Sequence, residues 1–62
     1  MIYEVKLSRH LFGNEMTLKT FRNGNEAWTW FQWVAKNLKD GQTASLLGHE
    51  RNNTHLLAVK SV

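Results

Sequence analysis

Residues 23–41, NGNEAWTWFQWVAKNLKDG, spell out a helix together with both of its ends. The Asn23 side chain can accept a hydrogen bond from an unpaired amide of the first turn, and Glu26, three residues on, can reach back toward it. Asn25 is the alternative cap. The spacing predicts a helix running to Leu38 and closing at Asp40-Gly41, where glycine takes the left-handed conformation at little cost. Lys36 and Lys39 in the last turns suit the negative end of the helix dipole.

On a helical wheel Trp28, Ala35, Phe31, Leu38, Ala27 and Val34 fall within an arc of roughly 120°, the width of a core-facing stripe. Gln32, Asn25, Lys36 and Thr29 lie opposite. Trp30 lies about 40° beyond one edge of the arc and Trp33 about 100° beyond it, near Glu26 and Asn37.

Outward from the helix, the chain reads as strands on both sides. IYEVKLSRH alternates Tyr3, Val5 and Leu7 with Glu4, Lys6 and Ser8, the period of a strand with one buried face. LFGNE is a turn, in which Gly13 and Asn14 suit a hairpin loop. EMTLKTFR is a second strand with Met16 and Leu18 on one face and Thr17 and Lys19 on the other. Phe21 breaks that phase: it sits after a bulge or leaves the sheet to cover the start of the helix. TASLLGHE and HLLAVKSV are two further strands, joined across Arg51-Asn52-Asn53-Thr54. The order is β-β-α-β-β, a single α+β domain over residues 1–62 in which one helix packs on a four-stranded, mainly antiparallel sheet. The strand order stays open, including a parallel pairing of the second and third strands. The expected core is Tyr3, Val5, Leu7, Met16, Leu18, Trp28, Phe31, Val34, Leu38, Leu47, Leu57 and Val59. Leu46 competes with Leu47, and Leu56 with Leu57.

At 62 residues the chain buries only about 60% of the surface its unfolded form exposes, so its stability is modest. Domains this small lean on disulfides, metals or partners. The chain has no cysteine, which excludes disulfides and thiolate zinc sites and leaves association as the available support. With 42% hydrophobic and 21% charged residues it is too apolar for a disordered chain. No apolar run has the length of a membrane span and no secretion signal opens the sequence, so a cytoplasmic protein without membrane contact is expected. The net charge of +3 allows an acidic partner, although the basic residues stand singly.

Candidate chemistry is sparse. His10, His49 and His55 lack the spacing of a metal site, and Glu50 with His55 reads as a cross-strand surface pair. Ser8, Ser45 and Ser61 lie in strands without a histidine and an acid arranged around them. No carboxylates are paired at recognisable spacing. Gly24 and Gly48 are isolated, so no phosphate-cradling loop arises. The expectation is a protein that is not an enzyme, with no catalytic residues, cofactor, metal or small-molecule substrate.

Two binding surfaces compete. The first is the helix flank with Trp30, Trp33 and Asn37. Tryptophan is enriched at interface hot spots, and the partner there is another protein or a second copy of the chain. The plainer reading has Trp30 flanking the core and Trp33 lying flat on the helix. The second surface is the sheet face away from the helix. Strand parity places Lys6, Lys19 and Lys60 on it, with Arg22 at its margin, enough for weak, salt-sensitive nucleic-acid binding. Sheet-based RNA readers, however, stack bases on aromatics, and only Phe21 is available there.

In length, in its hairpin–helix–hairpin order, in its asparagine and tryptophan content and in its lack of a catalytic constellation, the chain resembles small accessory proteins of bacteriophages and prophages. That group includes anti-CRISPR proteins and inhibitors of host polymerases or toxins. The resemblance implies an inhibitor in the host cytoplasm that occupies a surface on a large nucleic-acid-processing complex.

Overall fold

The computed structural model describes residues 1–9 and 15–62. The expected hairpin loop at Gly13-Asn14, and His10, lie outside the described residues. The elements are β1 (Ile2–Arg9), β2 (Glu15–Phe21), α1 (Gly24–Lys36), β3 (Gln42–Glu50) and β4 (Asn53–Ser61). The four strands form one sheet in the order β2-β1-β3-β4, and every pairing is antiparallel. The parallel pairing left open by the sequence does not occur, because β3 returns beside β1, not beside β2. The helix lies across β3, β1 and β2.

The core is formed by Val5, Phe21, Ala27, Phe31, Val34, Ala44 and Leu46. Tyr3, Leu7, Leu18, Trp30, Ala35, Leu38 and Ala58 pack around it, half-buried. Two register shifts decide which residues point inward. Between β1 and β2 the pairing runs Val5↔Lys19 and then Lys6↔Thr17, so Leu18 is the extra residue of a bulge. Beyond the bulge the phase reverses, which seats Phe21 opposite Tyr3 on the helix side and buries it. Between β3 and β4 the pairing passes from Leu46↔Ala58 to Leu47↔Leu56, leaving Leu57 as the extra residue.

Several expected core residues are therefore corrected. Leu46, not Leu47, faces the helix, and Ala58 replaces Val59, which is 55% exposed. Leu57 stays 40% exposed and Met16, at the open end of edge strand β2, 61%. Trp28 is 42% exposed while Trp30 packs on the core. The helix is thus rolled by about 30° from the orientation its apolar arc predicts. Phe21 is the cause. Its ring meets Trp30 at 6.1 Å between centroids and draws that side of the helix down onto β2.

Asn23 is the N-cap, and its Oδ1 accepts from the amides of Asn25 at 2.8 Å and Glu26 at 3.3 Å. The helix ends at Lys36, two residues short of the predicted stop. There Asn37 donates its side-chain amide to the Trp33 carbonyl at 2.7 Å and its backbone N–H to the Val34 carbonyl at 3.0 Å. Gly41, at φ 82°, belongs instead to the turn leading into β3. The last hairpin turns at Arg51-Asn52, one residue earlier than the paired asparagines suggest, and Glu50 pairs with Asn53. No helix among the described residues is long and apolar enough to cross a membrane.

Candidate functional site

The bulge at Leu18 builds the most distinctive surface of the molecule. It reverses the phase of β2, so Lys19 sits on the helix side, with Nζ 5.4 Å from the Phe21 ring centroid and 5.9 Å from that of Trp30. Trp30 meets Trp33, one turn further along the helix, at 5.8 Å and 59°. Phe21, Trp30 and Trp33 therefore form a row from the end of β2 along the helix flank, with a cation seated over its first two rings.

Exposure rises along this row. Phe21 is buried, Trp30 is half-buried, and Trp33 is 61% exposed. Beneath the two indoles a groove runs between α1 and the sheet, lined by Leu18, Val34, Leu38 and Asn37, with Lys39 at its end. Lys36 follows Trp33 by three residues and so neighbours it on the helix surface. Lys19, Lys36 and Lys39 take part in no ion pair among the described residues. An apolar groove with Lys39 at its end, and with Lys19 and Lys36 beside the indoles that roof it, suits an acidic surface with an apolar projection.

Of the three residues the sequence assigns to this flank, Trp30 and Trp33 are in contact, and Trp30 doubles as a wall of the core. Asn37 lines the groove, but its side-chain amide is occupied in capping the helix. Trp28 points to the opposite flank, about 160° from Trp30 on the wheel, and stacks edge-on against Phe31 at 5.9 Å.

The open sheet face differs from its sequence-based description. Of the three lysines assigned to it, only Lys6 lies there. Lys19 is on the helix side, and Lys60 pairs with buried Ala44 and so belongs to that side as well. The two bulges invert the parity from which both positions were inferred. Lys6 is paired with Glu15 at 3.3 Å, and Arg22 is exposed in the bend after β2.

What occupies the open face is a hydrogen-bonded row crossing all four strands. The Thr17 hydroxyl of β2 donates to Glu4 Oε2 of β1. Glu4 Oε1 lies 2.7 Å from His49 Nε2 of β3, and His49 Nδ1 lies 3.1 Å from the Thr54 hydroxyl of β4. With Nε2 protonated and donating to the carboxylate, Nδ1 of the neutral ring accepts from Thr54. The Glu4 carboxyl is held below its ordinary range, chiefly by the Thr17 hydrogen bond, with His49 and the charge of Lys6 adding to the effect against partial burial. Among the described residues no cluster of histidines and carboxylates could hold a metal ion. The expected Glu50–His55 contact is present at 3.8 Å, although the register makes it diagonal.

Sequence reasoning missed the membership of Lys19 in the aromatic row and the role of His49. The signal for the first was the phase conflict of Phe21, because a slip that brings Phe21 inward carries Lys19 with it. Nothing in the sequence pairs Glu4 with His49, which are 45 residues apart. Compared with protein-family models, with curated proteins and with solved structures, the chain matches none.

Proposed function

We propose that the chain is a non-catalytic binding module that docks on an acidic surface of another protein through Trp33, Trp30 and the groove beneath them. The exposure of Trp33 carries this reading. A tryptophan side chain presents about 200 Å², so covering the 61% left in water contributes about 3 kcal/mol on association. Trp30 is fixed between Phe21 and Trp33 and loses little conformational freedom on binding, as a preorganised anchor should. Lys19, Lys36 and Lys39 around the anchor speed encounter with an acidic partner. Nucleic-acid binding on the open sheet face loses its support with the relocation of Lys19 and Lys60. The resemblance to phage accessory proteins suggests an inhibitor of a host nucleic-acid-processing complex.

The test is affinity capture with the wild-type chain and with Trp33→Ala, followed by titration of each captured protein against the intrinsic tryptophan fluorescence. Proteins held by the wild type and lost by the variant, with a blue shift and slower association in salt, are the expected outcome. Partners that bind Trp33→Ala as tightly as wild type overturn the proposal. Recovery of nucleic acid in place of protein also overturns it.

A further inference from the structure

We infer that β4 is a self-association edge, through which two copies of the chain join their sheets into one of eight strands. This surface is independent of the tryptophan row. Among the described residues β4 is paired on one side only, to β3, so its outer edge presents unpaired backbone N–H and C=O groups. It is nine residues long and is tied to the start of β3 at its far end, where Gly41 donates to the Val62 carbonyl at 2.9 Å and Val62 to the Gln42 carbonyl at 3.1 Å.

The four residues at its middle, Leu56 to Val59, are those of an inner strand. Leu56 and Val59 stand on the open face, 61% and 55% exposed, and Leu57 lies on the helix side, in the space that a side chain at position 48 would need. From Leu56 to Val59 there is no charge. The opposite edge, β2, is guarded by Glu15 and Lys19, a usual protection of an edge strand; the middle of β4 carries no charge, and its one guarding feature is the bulge at Leu57.

Charge selects the occupant. A second copy adds to this edge antiparallel, about a two-fold axis perpendicular to the sheet, as a self-complementary interface requires. That operation brings the turn end of one β4 beside the far end of the other. Glu50 leans over β4 at the turn end, 3.8 Å from His55. Lys60, at the far end, lies on the same helix side and takes part in no ion pair among the described residues. Glu50 of one copy and Lys60 of the other therefore face each other twice. Both helices fall on one side of the joined sheet, so the two Trp33 surfaces point the same way and engage a repeated partner together.

Sedimentation velocity over micromolar to sub-millimolar concentrations, with amide hydrogen exchange at both extremes, tests the inference. The wild type is expected to pass from monomer to dimer, with β4 amides slowing as concentration rises and β2 amides unchanged. Leu56→Lys/Val59→Lys, at positions already open to solvent, is expected to stay monomeric, while Trp33→Ala dimerises as the wild type does. Lys60→Glu is expected to weaken association about tenfold, and Glu50→Lys/Lys60→Glu to recover most of it. A wild type that remains monomeric throughout overturns the inference, as does dimerisation that survives Leu56→Lys/Val59→Lys or is lost in Trp33→Ala. Should the double lysine variant not fold, Lys60→Glu and the exchange pattern of the wild type decide the matter alone.

Discussion

The Glu4 carboxylate of β1 lies 2.7 Å from His49 Nε2 of β3, in the middle of a hydrogen-bonded row that runs on to Thr17 on one edge strand and Thr54 on the other. With its side chain only 13% exposed, Glu4 is the best covered of the acids in ion pairs. Because its pKa is lower in the folded chain than the ordinary value of 4.5, protonation favours the unfolded state. The stabilisation is fully present above pH 4.5 and is lost as pH falls through the lowered folded value. Thr17 is the largest cause of the lowering, so Thr17→Val should move the acid-unfolding midpoint to higher pH. Glu4→Gln should cost about 1–2 kcal/mol at neutral pH, with the deficit shrinking in acid. Urea unfolding of the three proteins at neutral and acidic pH measures both effects, and a deficit that persists unchanged in acid contradicts the assignment.

Asn23 alone caps the helix, since Asn25 supplies a backbone amide to it and not a competing cap. Asn23→Ala is expected to destabilise the fold by about 1 kcal/mol, and Asn25→Ala by much less, as read from urea midpoints with an unchanged slope. Equal losses would show that both asparagines serve the helix start.

At the β3–β4 turn Arg51 has φ 48°, a left-handed conformation that an L-residue with a Cβ enters only at a cost of about 1 kcal/mol. Its side chain is exposed. Arg51→Gly should therefore stabilise the chain by about 0.5 kcal/mol, after the loss of order in the unfolded state is subtracted. A rise in the thermal midpoint checks it; a fall would mean that the arginine side chain does more for the hairpin than its exposure implies.

The order of elements was legible because period two and period 3.6 alternate cleanly along the chain. What stayed hidden were features that depend on a neighbour. Leu46-Leu47 and Leu56-Leu57 place an apolar residue on each face, so parity alone cannot choose between them; the register with β1, which sets Leu46 opposite Val5, chooses in the first pair, and the bulge at Leu57 in the second. The apolar arc of the helix is bounded by a tryptophan near each edge, Trp28 and Trp30, and a ring outside the helix, Phe21, decides which one turns inward. Lys19 and Lys60 follow the same bulges. Trp33 was legible as an outlying ring from helical geometry alone, since no roll of this size carries it beneath the sheet.

That difference sets the two neighbouring tryptophans apart in a way stability measurements can resolve. Trp30 packs between Phe21, Trp33 and the Lys19 ammonium group, so Trp30→Ala opens a hole beside the core and should cost about 2–3 kcal/mol, a large share for a domain of this size. Trp33 is 61% exposed, and Trp33→Ala should cost no more than about 1 kcal/mol, mostly its contact with Trp30. Fluorescence follows the same division: Trp33→Ala removes the most solvent-relaxed emission and shifts the remaining spectrum to the blue, whereas Trp30→Ala shifts it to the red. If Trp33→Ala unfolds the chain, the exposed indole is part of the fold's support, and the docking role assigned to it loses its foundation.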